Sequence, residues 1–141
     1  MTAVTLRLDI VSAEHQIYSG EAAMIFVTGE MGELGIAPGH TPLLTSIKPG
    51  NVRALLPDEK ELIFYVSSGM LEVQPYIVTV LADNALRAED IDELAALEAK
   101  ERAERALSDK GTEINLAEAS ASLAEAMAQI SAIQKLRKRA K

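Results

Sequence analysis

The sequence contains no cysteine and no tryptophan, and aromatic residues make up only 4% of its 141 positions. Without thiols there are no disulfides and no thiolate metal ligands, which fits a reducing compartment. So few rings cannot supply the stacking platform that single-stranded nucleic acid or a large planar ligand needs. Positive charge is in the minority, with 14 Lys and Arg against 21 Asp and Glu for a net charge of −7. That balance argues against the chain as a whole binding nucleic acid or an anionic membrane surface. No unbroken apolar run approaches the roughly 20 residues of a transmembrane helix. The opening Met1-Thr2-Ala3-Val4 leads into a strand pattern, not into a basic segment followed by an apolar stretch. Membrane association is therefore expected only through a partner.

Catalytic patterns are missing as well. His15 and His40 stand apart in different strand and turn settings, and neither belongs to a His-Glu-x-x-His pattern. There is no Gly-x-Ser-x-Gly elbow and no Gly-x-x-x-x-Gly-Lys-Ser/Thr phosphate loop. The expectation is a chain with no catalytic residue, no metal and no cofactor of its own.

What the chain does contain falls into two halves. In residues 1–84, Val4, Leu6, Leu8 and Ile10 alternate with Thr5, Arg7 and Asp9, the period of a half-buried strand. Ala23 to Thr28, Leu62 to Val66 and Tyr76 to Ala82 are more continuously apolar, as strands in the middle of a sandwich are. Ser19-Gly20, Thr28-Gly29, Pro38-Gly39, Pro49-Gly50, Leu56-Pro57-Asp58-Glu59 and Ser68-Gly69 read as turns, at about the 8 to 12 residue spacing of an all-β sandwich.

Residues 85–141 hold fifteen alanines and no proline, so they read as helix. The first helix is placed at about 89–109, started by Glu89 or Asp90, with Ile91, Ala95, Ala99, Ala103, Ala106 and Leu107 on one face. Ser108-Asp109-Lys110-Gly111-Thr112 ends it, with Gly111 as a left-handed stop. The second, at about 114–138, carries Leu116, Ala119, Leu123, Ala126, Met127, Ile130 and Ile133 as a narrow seam. The fold class is thus an all-β N-terminal sandwich (1–84) followed by a C-terminal antiparallel two-helix hairpin (85–141). A large apolar side chain contributes roughly 1.5 to 3 kcal/mol when fully buried, whereas ordering each residue costs about 1 to 2 kcal/mol. With few such side chains, the hairpin is expected to be marginal alone and able to exchange one docking surface for another.

The most distinctive run is Gly32-Glu33-Leu34-Gly35-Ile36-Ala37-Pro38-Gly39-His40-Thr41-Pro42-Leu43-Leu44, followed by Ser68-Gly69-Met70-Leu71-Glu72-Val73-Gln74-Pro75. Its glycines and prolines fix backbone bends while its leucines supply apolar contacts, which describes short strands joined by shaped turns. Glu33 and His40 are left among those turns. From spacing alone, Glu33 is either a solvated turn residue or a carboxylate offered to a cationic partner.

These runs, with Asp9-Ile10-Val11-Ser12 and Tyr18-Ser19-Gly20 before them, resemble the epsilon subunit of the bacterial F-type ATP synthase across nearly the whole chain. The chain departs from the family pattern at Ser68-Gly69, where two glycines are common after the serine, and at Pro75-Tyr76, where Pro-Gly is common. The resemblance implies a flattened two-sheet β-sandwich. It also implies a non-catalytic rotor subunit of the central stalk in a proton-translocating enzyme, peripheral on the cytoplasmic face of the bacterial inner membrane. Implied partners are the gamma subunit, the c-ring and the alpha and beta catalytic subunits.

By the same resemblance, Glu33 faces polar loops of the c-ring, with Met31, Gly32 and His40 along the same edge. For His40 a role in bonding its own turn stays open beside a contact. The basic tail, with Lys135, Arg137, Lys138, Arg139 and Lys141, would reach acidic segments of the catalytic head when the hairpin extends, and so inhibit ATP hydrolysis. Left to residue chemistry alone, those cations complement the dipole of a helix C-terminus. Ile91 and Asp92 match the start of the Ile/Leu-Asp-x-x-Arg-Ala segment of ATP-binding members, but Ala95 stands where that segment has arginine. Without its guanidinium, ATP binding is expected to be weak or absent, and the ordinary role of Arg87, Arg102 and Arg105 is surface pairing with Glu98, Glu101 and Asp109. The alternative function is a small-ligand-sensing β-sandwich with a helical output arm.

Overall fold

In the computed structural model, which describes residues 4–108 and 113–140 and the side chains of all of these except 113, 114, 139 and 140, the first alternation becomes β1 (Leu6–Val11). Leu6, Leu8 and Ile10 are wholly buried there. The strands that follow are β2 (Gln16–Ala22), β3 (Met24–Gly29), β4 (Gly32–Ile36), β5 (Leu43–Leu55), β6 (Glu61–Val66), β7 (Gly69–Val73), β8 (Ile77–Ala82) and β9 (Ala85–Arg87). Helices α1 (Glu93–Ser108) and α2 (Glu113–Ala140) complete the described chain.

The strands form two layers sharing one long strand. One layer runs β2-β1-β8-β7 into the first half of β5, with β1 and β8 parallel and the other pairs antiparallel. The other runs β4-β3, the second half of β5, β6 and β9. β5 pairs with β7 through Leu43–Ile47 and with β6 through Gly50–Leu55, so it changes layers in between. Pro49-Gly50, expected as a turn, is therefore a bend inside a strand. Proline is tolerated there because the ladder changes partners, and Gly50 lets the backbone pass within 2.6 Å, measured from an added Cβ, of the Thr28 Cβ. Ser19-Gly20 likewise lies within β2, and the chain reverses earlier, where the Ser12 N–H donates to the His15 carbonyl at 3.0 Å.

Side chains from both layers meet in one core. β1, β7 and β8 contribute Leu8, Leu71 and Val80, and β3, β5 and β6 answer with Ile25, Val52 and Phe64. This is the β-sandwich expected from the alternation and the turn spacing, closed by period-two burial on facing sheets.

The sheet extends past residue 84. β9 pairs Ala85 with Val66 and Arg87 with Phe64, and Ala85 is buried at the edge of the core. A single 3-10 turn follows at Ala88–Asp90, and Ile91 returns to an extended conformation. α1 then starts at Glu93, four residues later than its alanine content suggested, because Ile91 packs against the sheet and cannot stay helical. Asp92 caps the helix, its carboxylate accepting the Ala95 N–H at 3.1 Å.

The buried face of α1 is Ala96 and Ala103, while Ala95 and Ala106 are exposed. In α2, Ala119 and Ala126 line the groove against α1, whereas Met127 points to solvent. α2 has a second face that the seam pattern did not suggest: Ala128, Ala132 and Leu136, spaced four apart, pack on Ile63 and Tyr65 of β6 and on Ala88 and Ile91. The hairpin thus lies against the outside of the second layer. The proposed stop at Gly111 lies outside the described residues.

Gly69 provides the most direct test of the sandwich. It holds φ +152 opposite Ala82, and a Cβ there would overlap the Leu81 carbonyl oxygen. Replacement by alanine (Gly69→Ala) is expected to destabilise the sandwich by about 2 to 3 kcal/mol, seen as a lower urea midpoint. An unchanged midpoint would mean that the β7–β8 pairing yields without strain.

Candidate functional site

β4 is the outermost strand of its layer, and the residues expected to face a partner run along it. Met31, in the turn before β4, is 97% exposed. Gly32 and Glu33 lie in the strand itself, with Glu33 opposite Thr28, so the carboxylate belongs to a strand and not to a turn. Strand geometry directs it onto the outer face of the sheet, where Arg53 of β5 meets it.

Arg53 organises that face. Its Nη2 donates to Glu33 Oε1 at 3.0 Å and its Nη1 donates to Glu61 Oε1 at 3.1 Å. The guanidinium lies 4.5 Å from the centre of the Phe26 ring, a contact that suits arginine's planar charge. Burial works against its charge, and the bonds and charges of Glu33 and Glu61 more than compensate, so its pKa is raised. The Glu33 side chain keeps half its surface open to solvent. This pair leaves no local sign in the residue pattern, because Arg53 is twenty residues distant and meets Glu33 across the β3 strand between them.

His40 sits in the turn beyond the far end of β4. Its Nδ1 donates to the Thr41 carbonyl at 2.7 Å, and its backbone N–H donates to the Ala37 carbonyl at 3.2 Å. Gly39 donates to the Pro75 carbonyl at 2.7 Å, tying this turn to the β7–β8 connection. The turn-bonding role for His40 is thus present, and the ring remains partly exposed.

The basic tail is engaged within the chain. Arg137 forms an ion pair with Glu93 at the start of α1, closing the open end of the hairpin. Lys135, half-buried, and Lys138, exposed, line a cleft of about 440 Å³ with Glu33 and Arg53. The Arg139 side chain and Lys141 lie outside the described residues.

Ile91 and Asp92 have structural work: Ile91 packs on the Ile63 and Tyr65 face and Asp92 caps α1. Arg87 lies 5.8 Å from the rings of both Tyr18 and Phe64 and pairs with Glu89, not with the acids expected, while Arg105 pairs with Glu101 one turn away. Among the described residues, no three His, Asp or Glu side chains gather as a metal site would require, and no helix is long and apolar enough to cross a membrane.

The docking surface beneath α2 is formed by β5, β6 and the 3-10 turn. Its buried side chains are alanines on the helix side and Ile63 and Tyr65 on the sheet. Asn51 Nδ2 donates to Ser131 Oγ at 3.4 Å, and Asn51 Oδ1 is buried with no protein partner among the described residues. Across the molecule, the outer face of the first layer shows Leu44, Met70, Ile77 and Leu81 to solvent, with Leu44 67% exposed. Met70 and Leu81 are adjacent in register, so the apolar surface is continuous across β7 and β8.

The geometry defines a class of protein: a β-sandwich with a charged edge, an exposed apolar face on one layer and a helical hairpin docked on the other. Comparison with known proteins gives the family. Residues 5–88 match the family described as ATP synthase, Delta/Epsilon chain, beta-sandwich domain, and residues 89–134 match its long alpha-helix domain. The ATP synthase epsilon chain of Nitrosococcus oceani is 58% identical over 97% of this chain and 98% of its own. That of Legionella pneumophila is 57% identical over 99% of each. Among solved structures, a Euglena gracilis mitochondrial ATP synthase (OSCP/F1/c-ring) contains a chain of the same fold at TM-score 0.84 and 20% identity, covering 92% of this chain and 82% of that one. A chain of the Tetrahymena thermophila mitochondrial ATP synthase central stalk and c-ring superposes at TM-score 0.62 and 11% identity, covering 91% and 96%. The chain belongs to the ATP synthase delta/epsilon family, as a non-catalytic, epsilon-type member.

Tyr65 gives the docked hairpin a measurable signature. Burial, reinforced by the charge of Glu125 and partly countered by a hydrogen bond from Gln129, pushes its pKa up to about 12. A raised pKa favours the neutral phenol in the docked form. The contribution of this contact is therefore complete below the ordinary tyrosine value near ~10 and is lost as pH rises through about 12. An ultraviolet phenolate titration should show one of the three tyrosines ionising late, together with hairpin release. Tyr65→Phe should abolish that step, and a titration unaltered by the substitution would contradict the assignment.

Proposed function

We propose that the chain is a central-stalk subunit of a bacterial F-type ATP synthase that couples rotation to ATP synthesis and restrains ATP hydrolysis through its helices. The observation that carries this reading is the contrast between a sandwich with one continuous core and an arm held on it largely by alanines. A torque-bearing part must be stiff, whereas a regulatory part must leave at modest cost.

In this reading the apolar outer face of Leu44, Met70, Ile77 and Leu81 receives the gamma subunit. It has the exposed, contiguous character of a protein contact. The β4 edge, with Met31, Gly32, Glu33 and His40, stands on the c-ring. When the hairpin opens, Lys135, Arg137, Lys138 and Arg139 are freed for acidic segments of the alpha and beta catalytic subunits. The protein reaches the cytoplasmic face of the inner membrane through these partners.

Nucleotide plays no part in holding the arm. Asp92 is spent on a helix cap, Arg87 on two aromatic rings, and exposed Ala95 stands where ATP-binding relatives of the resembling pattern carry arginine. Ile63, Tyr65, Ala128 and Ala132 fill the space between sandwich and hairpin where a sensed ligand would have to lie.

Capture of the gamma subunit by the full chain in a stoichiometric complex is expected, and its absence would defeat the stalk reading. Within the assembled enzyme, ending the chain after Ala88 should leave synthesis intact and raise hydrolysis, whereas unchanged hydrolysis would mean that the hairpin is not the brake. Calorimetry of the isolated chain with ATP should detect no binding at micromolar concentrations, and a low-micromolar dissociation constant would contradict the nucleotide-free arm.

A further inference from the structure

The candidate partner edge and the basic tail are a hundred residues apart in sequence, yet they share one cleft. Glu33 and Arg53 form one wall, and Lys135 and Lys138 of α2 form the other. Counting Glu61, which holds the second arm of Arg53, three cations face two carboxylates. Glu33 is the half-exposed member of that pair of acids, since the Glu61 side chain keeps only 14% of its surface. It is therefore the carboxylate that an outside group can reach.

We infer that Glu33 is an electrostatic latch for the hairpin, so that engagement of its carboxylate by a cationic group of a partner weakens docking of the tail. Glu33 and Glu61 offset the charge of Arg53 in a cleft that also receives the two lysines. With its charge removed, or satisfied from outside, Arg53, Lys135 and Lys138 share the cleft with Glu61 as the remaining carboxylate bonded to Arg53. Repulsion then acts on the last turns of α2, next to the alanine surface that holds the helix down. Linkage makes the effect reciprocal: whatever binds Glu33 favours the open arm, and an open arm leaves Glu33 freer to bind. The inference deepens the proposed c-ring contact by making it a control point for arm posture. It rests on that reading only for the identity of the cation.

The test uses the isolated full chain. Because the chain has no cysteine, the substitutions Asp58→Cys on an exposed sandwich loop and Ala124→Cys on the exposed side of α2 accept spin labels selectively. Pulsed distance measurement then reads the ratio of open to docked hairpin. Glu33→Gln is expected to raise that ratio roughly two- to fivefold at low salt, the range for one partly exposed charge contact, with the difference shrinking at high salt. Glu33→Asp, which keeps the charge, should stay close to the parent chain. In a Lys135→Gln, Lys138→Gln background, Glu33→Gln should have little further effect. An unchanged ratio in Glu33→Gln, or an undiminished effect without the lysines, would overturn the latch. No partner is present in this measurement, so its failure is distinct from a failure to capture the gamma subunit.

Discussion

Strand β6 is buried on both sides, and the rest of the arrangement depends on how those two sides differ. Phe64 and Val66 point into the sandwich core, where residues from both layers surround them. Ile63 and Tyr65 point outward and are covered by Ala128, Ala132, Leu136 and Ile91. The inner contacts are made between large side chains of fixed strands. The outer contacts set two large side chains mainly against alanines, with Leu136 and Ile91 at the margin. Loss of the inner set would unfold the domain. Loss of the outer set would expose Ile63 and Tyr65 while leaving the sheet intact. One strand thus joins the core of the sandwich to the cluster that docks the hairpin.

Charge is distributed to match. The body is acidic, and the described cations of the tail each find an acidic or mixed-charge setting in the docked arm: Arg137 at Glu93, Lys135 and Lys138 beside Glu33 and Arg53. Such exposed or half-exposed contacts contribute only about 0 to 1 kcal/mol each. They are strong enough to select a posture and too weak to lock it. Arg53 is the exception, half-buried over Phe26 and held by two carboxylates within the sandwich. Glu33 stands at the boundary, bonded to that fixed arginine on one side and open to solvent on the other.

Much of this was legible in the residues. Alternation in Leu6, Leu8 and Ile10 defined β1, the continuous run from Leu62 to Val66 marked a strand in the middle of the sandwich, and the alanine-rich end was a helical hairpin. What could not be read depended on partners distant in sequence. Pro49-Gly50 looks like a turn locally, and becomes a bend only because β5 has a different neighbour on each side of it. Ala85 looks helical, and joins the sheet because Val66 is free to pair. The ion pair of Glu33 with Arg53 crosses β3 and leaves no local spacing to detect. The second face of α2 was present as Ala128, Ala132 and Leu136, but a seam chosen for α1 hid it, because alanine fits either surface.

The central claim is that one chain carries a stiff block and a releasable arm, and native-state amide exchange tests it most directly. Amides of α1 and α2 should exchange through an opening whose free energy lies well below that of β1, β6 and β8, with Ile63 and Tyr65 becoming accessible in the same event. Exchange through both helices at the same free energy as the sandwich strands would contradict the account, since arm and block would then open only as one unit.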